Sequence, residues 1–473
     1  MPGLYVLRTY QMPWLPRDIV AGLVLSALLV PQGMAYAELA GLPAITGLYV
    51  TVGCLLAYAL FGPSPYLVLG PDSSLGPMIA AAILPLAAGD EAYAIALAGM
   101  LALMVGVLCV GAGIARLGFV ADLISKPVRI GYLAGLAVTI FVGQLPKFFG
   151  FSVDADGLFQ ELMAVLQNLD LTNPWTLAVG LLTLFIILGM KRWSPRLPGV
   201  LFAVLASIAF TFIFGLAAKG VDVIGVLPQG FPRPSFPSVA LADLPLLAAA
   251  ALGMTLLAVG DTISTSTGFA ARRGYEVDGD QELVGIGAAN LLVSLLQGFP
   301  ISISGSRTAV AEQSGAKTQL TGVVASLSVL AMLLFVPGLV KNMPQSALAA
   351  IVIAAAMSLF DVAELKRLWS VRRSEFVLAL ICILGVALVG VLQGIVIAIA
   401  VSILQAFERA WRPYCAVLGK PQDVAGYHDL NRYPEAEETP GLLLLRWDAP
   451  LFFANANIFR KVIRELVAAA SPQ

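Results

Sequence analysis

GFPISISGSRTAVAEQSGAK, residues 298–317, decides how the chain is read. Arg307 stands between two long apolar runs, LLVSLL before it and LTGVVASLSVLAMLLFV after it. An unpaired cation at bilayer depth costs roughly 2.5–3.5 kcal/mol on insertion scales, so it survives only facing protein, water or a counter-anion. Pro300, Gly305 and the surrounding serines oppose a continuous spanning helix. They predict a broken segment instead: extended backbone through Ile301–Ile303, then a half-helix starting near Ser306. A helix that begins inside the membrane turns unpaired N–H groups and a positive dipole end into its surroundings. With Arg307 in the first turn, that pattern predicts an anion site. The competing reading keeps Arg307 at the membrane surface or paired with a structural carboxylate.

The composition agrees with a membrane setting. Of 473 residues, 59% are hydrophobic and 12% charged, about half the charge of a soluble domain. Mean hydropathy is +0.88, and most apolar runs approach the ~20 residues needed to span. A net charge of −1 without a dense basic stripe argues against a nucleic-acid partner. Cys54, Cys109, Cys382 and Cys415 are scattered and read as small packing residues. The single histidine, His428, lies in a polar stretch near the C-terminus, which excludes a histidine metal site or proton relay in the membrane. The chain opens on LYVLRTYQMPWLPRD without a cleavable signal pattern.

Working outward, the first span is expected at 19–37 and carries PQGMAYAELAGLP, in which Pro31 and Gly33 suit a cavity-lining helix. A second span follows at 46–61. Residues 66–78, YLVLGPDSSLGPM, then repeat the design of 298–317: β-type residues, a Gly-Pro break, serines, and an apolar half-helix to about residue 88. Pro31 precedes Ser74 by 43 positions and Asp261 precedes Ser306 by 45, with one full span between each pair. The two blocks are offset by about 230 residues, roughly half the chain. Later spans are expected at 92–113, 130–149, 176–190, 199–216, 244–263, 282–297, 318–340, 347–360, 376–392 and 394–410. With the two broken segments these make about 14 in all, an all-α membrane protein. Seven spans per half, an odd number, invert the second copy (about 240–412) against the first (about 14–218). Two half-helices, each preceded by a short β-strand, then meet N-terminus to N-terminus near the midplane.

Charge placement fixes the expected orientation. The segments assigned to the cytoplasm hold Arg8, Arg17, Arg116, Lys126, Arg129, Lys191, Arg192, Arg196, Arg272, Arg273, Lys366, Arg367, Arg372, Arg373, Arg409 and Arg412. The opposite loops hold Lys147, Lys219, Arg233 and Lys341, among the acidic Asp154, Asp156, Glu161 and Asp170. This bias puts both termini in the cytoplasm. Residues 1–418 are thus expected to form a transmembrane domain. After Lys420 the chain turns polar, with a short buried strand expected at 442–446 and an amphipathic helix at 457–469. One strand and one helix are too few to fold alone.

Taken together, PQGMAYAELAGLPAITGLY, the GPDSSLGPM break, LGFVADLISKPVRIGYLAG, QELVGIGAANLLVSLLQGFP, SGSRTAVAEQSGAKTQ and MPQSALAAIVIAAAM resemble the sulfate permease (SulP) family of anion transporters, in the family's order. The stretch GLLLLRWDAPLFFANANIFRKVIREL is similar to the start of that family's cytoplasmic STAS domain, so 419–473 is expected to be a linker and an N-terminal STAS fragment. The resemblance implies a core bundle (spans 1–4 and 8–11) moving past a gate bundle (spans 5–7 and 12–14). It also implies a homodimer through the C-terminal region. The anion would sit between the half-helices of spans 3 and 10, closed off by spans 1 and 8. The matching positions are Gln32 and Tyr36; Asp72, Ser73 and Ser74; and Ser304, Gly305, Ser306 and Arg307. Two positions depart from the family pattern: Asp261 stands in GDTISTSTG where many members read Glu-Ser-Ile, and Asp72 where a neutral or aromatic residue is common.

An extra carboxylate beside an anion site repels the anion unless it is protonated or binds a cation, which favours coupling to H⁺ first and Na⁺ second. Glu38, directly after the span 1 motif, is either a titrating coupling site or a helix-end surface residue. Asp261 is a candidate proton carrier, a Na⁺ ligand together with Thr265, or a structural partner of Arg307. Lys126 and Arg129 read as markers of an interfacial helix. No Walker A loop, metal cluster or nucleophile elbow is present, so neither ATP nor a cofactor is expected. The expected function is secondary active transport of a small anion (bicarbonate, sulfate or a dicarboxylate) across the inner membrane. An anion channel or uncoupled exchanger on the same fold is the alternative, and a membrane enzyme a remote third.

Overall fold

The computed structural model describes residues 2–118, 125–153, 157–194, 197–274, 276–422 and 424–470. Asp154, Asp156 and Arg196 of the charge pattern, and residues 119–124 of the stretch matched at 117–135, lie outside the described residues. The chain divides into two compact units, Met1–Ala398 and Ile399–Gln473.

The first half of the membrane region runs through α1 (Pro2–Thr9), α2 (Leu15–Leu39), α3 (Ala44–Phe61), β1 (Leu69–Gly70), the half-helix α4 (Gly76–Ala87), α5 (Glu91–Ile114), α6 (Lys126–Phe149), α7 (Leu158–Gln167), α8 (Pro174–Trp193) and α9 (Gly199–Ile213). The second half runs through α10 (Leu244–Arg273), α11 (Gly279–Leu295), β2 (Ser302–Ile303), the half-helix α12 (Gly305–Gln313), α13 (Leu320–Phe335), α14 (Gln345–Leu359), α15 (Val362–Val371), α16 (Arg373–Leu384) with a π-helical turn (Gly385–Val389), and α17 (Val391–Trp411). Setting aside the short helices α1, α7 and α15, each half holds seven membrane segments in the same order, the third a strand followed by a half-helix. Among the described residues, seven helices are long and apolar enough to cross a bilayer unaided. The others need the bundle around them.

Helix ends follow local chemistry. Proline occupies the first turn of α2, α4, α6, α8 and α10, where its missing N–H costs nothing. Asp90, Asn173 and Asp278 cap α5, α8 and α11 by accepting backbone N–H bonds. Pro31 lies inside α2, which nevertheless runs unbroken because that stretch is buried among neighbouring helices. The span expected at 318–340 ends instead at Phe335, since Pro337 cannot continue α13.

Packing follows the inverted repeat. In the core bundle α2 packs on α13 as α10 packs on α5, while α3 and α11, equivalent segments, pack on each other. In the gate bundle α6 packs on its equivalent α14, and α8 on α14 is matched by α16 on α6. The first helix of each repeat also opens on a carboxylate that reaches the other repeat. Asp18, fully buried, accepts from Lys317 N (2.6 Å), Thr318 N (3.2 Å) and Thr318 Oγ1 (2.8 Å) just ahead of α13. Asp243, at the start of α10, accepts from the Tyr93 hydroxyl in the first turn of α5. A carboxylate at a helix N-terminus is favoured by both the unpaired N–H groups and the dipole.

The second unit is more than the strand and helix expected from sequence. It holds β3 (Cys415–Gly419), β4 (His428–Asp429), β5 (Leu445–Trp447) and α18 (Ala456–Ala470), with the strands antiparallel in the order β4-β3-β5. The strand expected to be buried at 442–446 begins three residues later and is half-exposed, with Leu442 itself exposed. Asp429 accepts from the Tyr414 hydroxyl and from Asn431 N (2.9 Å), and these bonds, with Arg432 nearby, hold its carboxyl below the usual range.

The α2–α3 crossing gives a stability test. A Cβ at Gly47 would stand 1.9 Å from the Gly33 carbonyl oxygen, a backbone atom that cannot step aside. Gly47→Ala is expected to destabilise by about 1–3 kcal/mol, the usual cost of overpacking. Gly111→Ala, where a Cβ meets nothing within 4 Å, should melt like the parent. Fluorescence-detected size-exclusion melting curves of the two variants in detergent check this; equal curves would contradict the packing.

Candidate functional site

The two broken segments meet in an antiparallel strand pair, Leu69 opposite Ile303 and Gly70 opposite Ser302. Helix cannot continue through Gly70–Pro71 or Phe299–Pro300, so the freed backbone groups need partners inside the protein. They find them in each other and in buried side chains. Ser304 N donates to Val68 O (3.2 Å), Val68 N to Thr308 Oγ1 (3.1 Å), and Ile301 N to Asn290 Oδ1 (3.0 Å). From this pair α4 and α12 run away, so both half-helix N-termini face the break.

The two N-termini differ: α12 has a side-chain cap and α4, beginning after Leu75, has none. Asp72 Oδ1 accepts from Ser74 N (2.9 Å) and Ser74 Oγ (2.5 Å) ahead of α4. Ser304 is the N-cap of α12, and its hydroxyl is also 3.0 Å from Ser306 Oγ. These residues line a cavity of about 540 Å³. Gln32 and Tyr36 of α2 form one wall; Asp72, Ser73 and Ser74 a second; Ser304, Gly305 and Ser306 a third; and Asp261 and Thr265 of α10 a fourth. The gate closes the remaining side with Ile187 and Lys191 of α8, Gly199 and Val200 of α9, and Ile351 and Ser358 of α14.

Arg307 lies behind this wall. Its side chain is fully buried, and Nη1 donates to Pro71 O (2.6 Å) at the strand break. Nη2 is 3.9 Å from Asp72 Oδ2, while Nε and Nη2 have no hydrogen-bond partner. A Cβ on Gly70 would stand 2.8 Å from Nη1, so glycine is what lets the guanidinium reach the break. Of the alternatives left open by the sequence, the geometry pairs Arg307 with Asp72 and leaves Asp261 to another cation. That cation is Arg129, whose Nη1 is 3.8 Å from Asp261 Oδ1. Arg129, read from sequence as an interfacial marker, therefore touches a cavity-lining carboxylate. Glu38 is not part of the cavity lining; it lies in the last turn of α2, two residues beyond Tyr36, with Lys147 Nζ 3.2 Å from its Oε2. Gly305 has room to spare: a Cβ there would meet only Thr265 Cγ2, at 3.8 Å.

Some of the cavity was silent in the sequence. The gate-side residues sit in ordinary apolar helices, and the one cue was the small-residue run Ala354–Ala356. Thr308 acts through Val68 N, 240 positions away, and Asn290 through Ile301 N, 11 positions on, beside its own bond to Ile286 O. Among the described residues no cluster of His, Cys, Asp or Glu could hold a metal ion.

Comparison with known proteins places this architecture. Residues 15–382 match the model of the sulfate permease family. A Mycobacterium tuberculosis protein described as a probable sulfate transporter is 42% identical over 460 residues, covering 97% of this chain and 82% of its own length. The chloroplastic sulfate transporter 4.1 of Arabidopsis thaliana is 33% identical, over 97% of this chain and 68% of its own length. Two solved structures share the fold at 23% identity. Murine Slc26a9, described as an anion transporter in the inward-facing state, superposes with a TM-score of 0.86 over 100% of this chain and 81% of its own. The transmembrane domain of the cyanobacterial bicarbonate transporter BicA does so with 0.72, over 84% and 98%. The fold, the paired half-helices and the extent of these matches agree: the chain belongs to the sulfate permease family of membrane anion transporters.

Proposed function

We propose that the chain is a secondary active transporter that moves a small anion (bicarbonate, sulfate or a dicarboxylate) across the inner membrane as a cation symporter, H⁺ first and Na⁺ second. The observation that carries this reading is the pair of half-helix N-termini facing one cavity, with a buried, incompletely partnered guanidinium behind them. The N–H groups of Gly305 and Ser306 on one side and Ser73 on the other bind the anion, with Gln32 and Tyr36 covering it. Arg307 contributes its charge through the wall and fixes Pro71 and Asp72. The gate side of the cavity is built from one end of α8, α9 and α14, the end that the charge bias assigns to the cytoplasm. The anion is carried as the core slides against the gate in an elevator-like movement.

The charges around the cavity support coupling. Asp72 faces Arg307 and Asp261 faces Arg129, so the core side of the site is nearly neutral before an anion enters, with Lys191 across it on the gate. An anion that moves with the core leaves Lys191 behind and carries an uncompensated negative charge at low dielectric, which a proton or Na⁺ on Asp261, with Thr265 beside it, balances. Anion and cation then bind cooperatively by reciprocal linkage. Glu38, in the last turn of α2, is the second coupling position. Residues 1–418 form the transport domain, 419–473 a linker and the beginning of a STAS domain through which the protein pairs as a homodimer, and both termini lie in the cytoplasm.

The wall geometry separates two glycines. Gly70→Val should lower both uptake and melting temperature, because it drives Arg307 from the break. Gly305→Val should abolish uptake with an unchanged melting curve, because it fills the anion's place in open space. Arg307→Ala should reduce uptake by about tenfold or more, the equivalent of 1.4 kcal/mol. Uptake of labelled bicarbonate, sulfate and succinate into proteoliposomes is the measurement. Normal uptake by folded Arg307→Ala would remove it from the site.

Coupling is tested at fixed membrane potential with ΔpH or ΔNa⁺ imposed in turn. Wild-type uptake should rise with an inward proton gradient, and Asp261→Asn or Glu38→Gln should lose that rise. Stimulation by Na⁺ alone would overturn the proton assignment. Full gradient dependence in both variants would show that neither carboxylate couples, and flux indifferent to any gradient would favour a channel.

A further inference from the structure

Among the described residues, Arg129–Asp261 and Lys147–Glu38 are ion pairs between core and gate, and both end on the same gate helix. Arg129 lies in the first turn of α6 and faces Asp261 of α10 at 3.8 Å; Lys147 lies in the last turn of α6 and faces Glu38 of α2 at 3.2 Å. Both carboxylates belong to the core and both cations to the gate. Eighteen residues of continuous helix separate the cations, about 27 Å at 1.5 Å per residue. The pairs thus sit at opposite ends of α6, one on a carboxylate of the cavity wall and one on Glu38, two residues beyond the cavity-lining Tyr36. A third pair at the same end of α6, Lys126 with Glu364 of α15 (2.9 Å), stays within the gate and does not cross the boundary.

We propose that Arg129 and Lys147 are the gate's counter-charges for the core carboxylates, so that the core leaves this position only when Asp261 and Glu38 receive another cation. The inference deepens the transport reading and rests on it. A rigid core displaced along α6 by even one helical turn, ~5.4 Å, breaks both pairs at once, since both are formed in a single register. Each carboxylate is mostly buried, with side-chain exposures of 16% for Glu38 and 23% for Asp261, so an unneutralised move strands charge in a poorly solvated place. The groups facing Asp261 are Arg129 and Tyr132 from α6 and Asp72 from the strand break. Only Arg129 among them is cationic. Arg129 and Lys147 are positioning residues: neither lines the cavity itself, each acts through the carboxylate it faces, and they set whether an empty core can cross. This makes cation binding a condition of movement as well as of anion affinity.

The test has two arms. In proteoliposomes with [³⁵S]sulfate, bicarbonate or succinate as probe, Arg129→Gln and Lys147→Gln should raise gradient-independent flux and reduce gradient stimulation severalfold. The swap Arg129→Asp with Asp261→Arg should restore part of the stimulation. Lys126→Gln should behave as wild type. The second arm needs no substrate. In a background with Cys54, Cys109, Cys382 and Cys415 replaced, Ser306→Cys is labelled with an impermeant maleimide from each side of oriented vesicles. Removing Arg129 and Lys147 together should increase labelling from the Glu38 side severalfold. Unchanged labelling, or wild-type gradient stimulation in Arg129→Gln, would overturn the proposal. Absence of flux in the wild-type protein would contradict the transport reading instead, and the labelling arm would still decide this one.

Discussion

Everything in the membrane unit depends on ending two helices inside the bilayer without leaving their backbone bare. Lipid offers no hydrogen bonds, so each broken segment must supply partners for the groups it frees. Here the two breaks satisfy each other as the β1–β2 pair, and further bonds come from Thr308, Asn290, Gln319 and Arg307. That solution works only if two stretches about 230 residues apart reach the same depth from opposite directions. An inverted repeat with an odd number of segments per half does this. The same constraint explains why α3 and α11 pack on each other at the centre of the core, and why each repeat opens on a carboxylate that meets the other repeat.

The second dependence is electrostatic and follows from the first. A strand break leaves the Pro71 carbonyl exposed at depth, and Arg307 occupies it with a 2.6 Å hydrogen bond. The guanidinium therefore serves the backbone as well as the anion. Its position behind the wall keeps the guanidinium itself out of the cavity, whose core side is lined by amides, hydroxyls and backbone together with Asp72 and Asp261. An anion bound there would feel the Arg307 charge without direct contact with it.

Much of this was legible because it is written in residues with strong local physics. Gly-Pro pairs, a cation in an apolar run and the odd segment count fixed the breaks, the repeat and the meeting of the half-helices. The segment ends fell within a few residues of those expected wherever a proline, Asp or Asn marked them, as at Pro174 and Asp278. What stayed hidden were partnerships between residues on different elements. The sequence placed Arg307, yet only packing shows that it reaches Pro71 past Gly70 rather than entering the cavity. Arg129 looked like a surface charge because its partner Asp261 lies 132 positions later on another helix. In the second unit, β3 and β4 were missed because strands of five and two residues carry too little periodicity to stand out.

These hidden partnerships change what the charge pattern means. Read alone, Asp72 and Asp261 made an anion site with too much negative charge, relieved only by an outside cation. In the folded protein each faces an internal cation, and the two cations differ in kind. Arg307 and Asp72 both belong to the core, so the proposed sliding of the core leaves their relation unchanged. Arg129 and Asp261 belong to different bundles, so the same movement would change their attraction. In the proposed cycle one pair is then a constant of the site and the other a variable. An anion that binds the constant part would meet the same wall throughout, while a cation that binds Asp261 would compete with Arg129 in one position and be unopposed in the other. In the proposed symport, the difference between the two pairs is what would turn a gradient of cation into a direction for the anion.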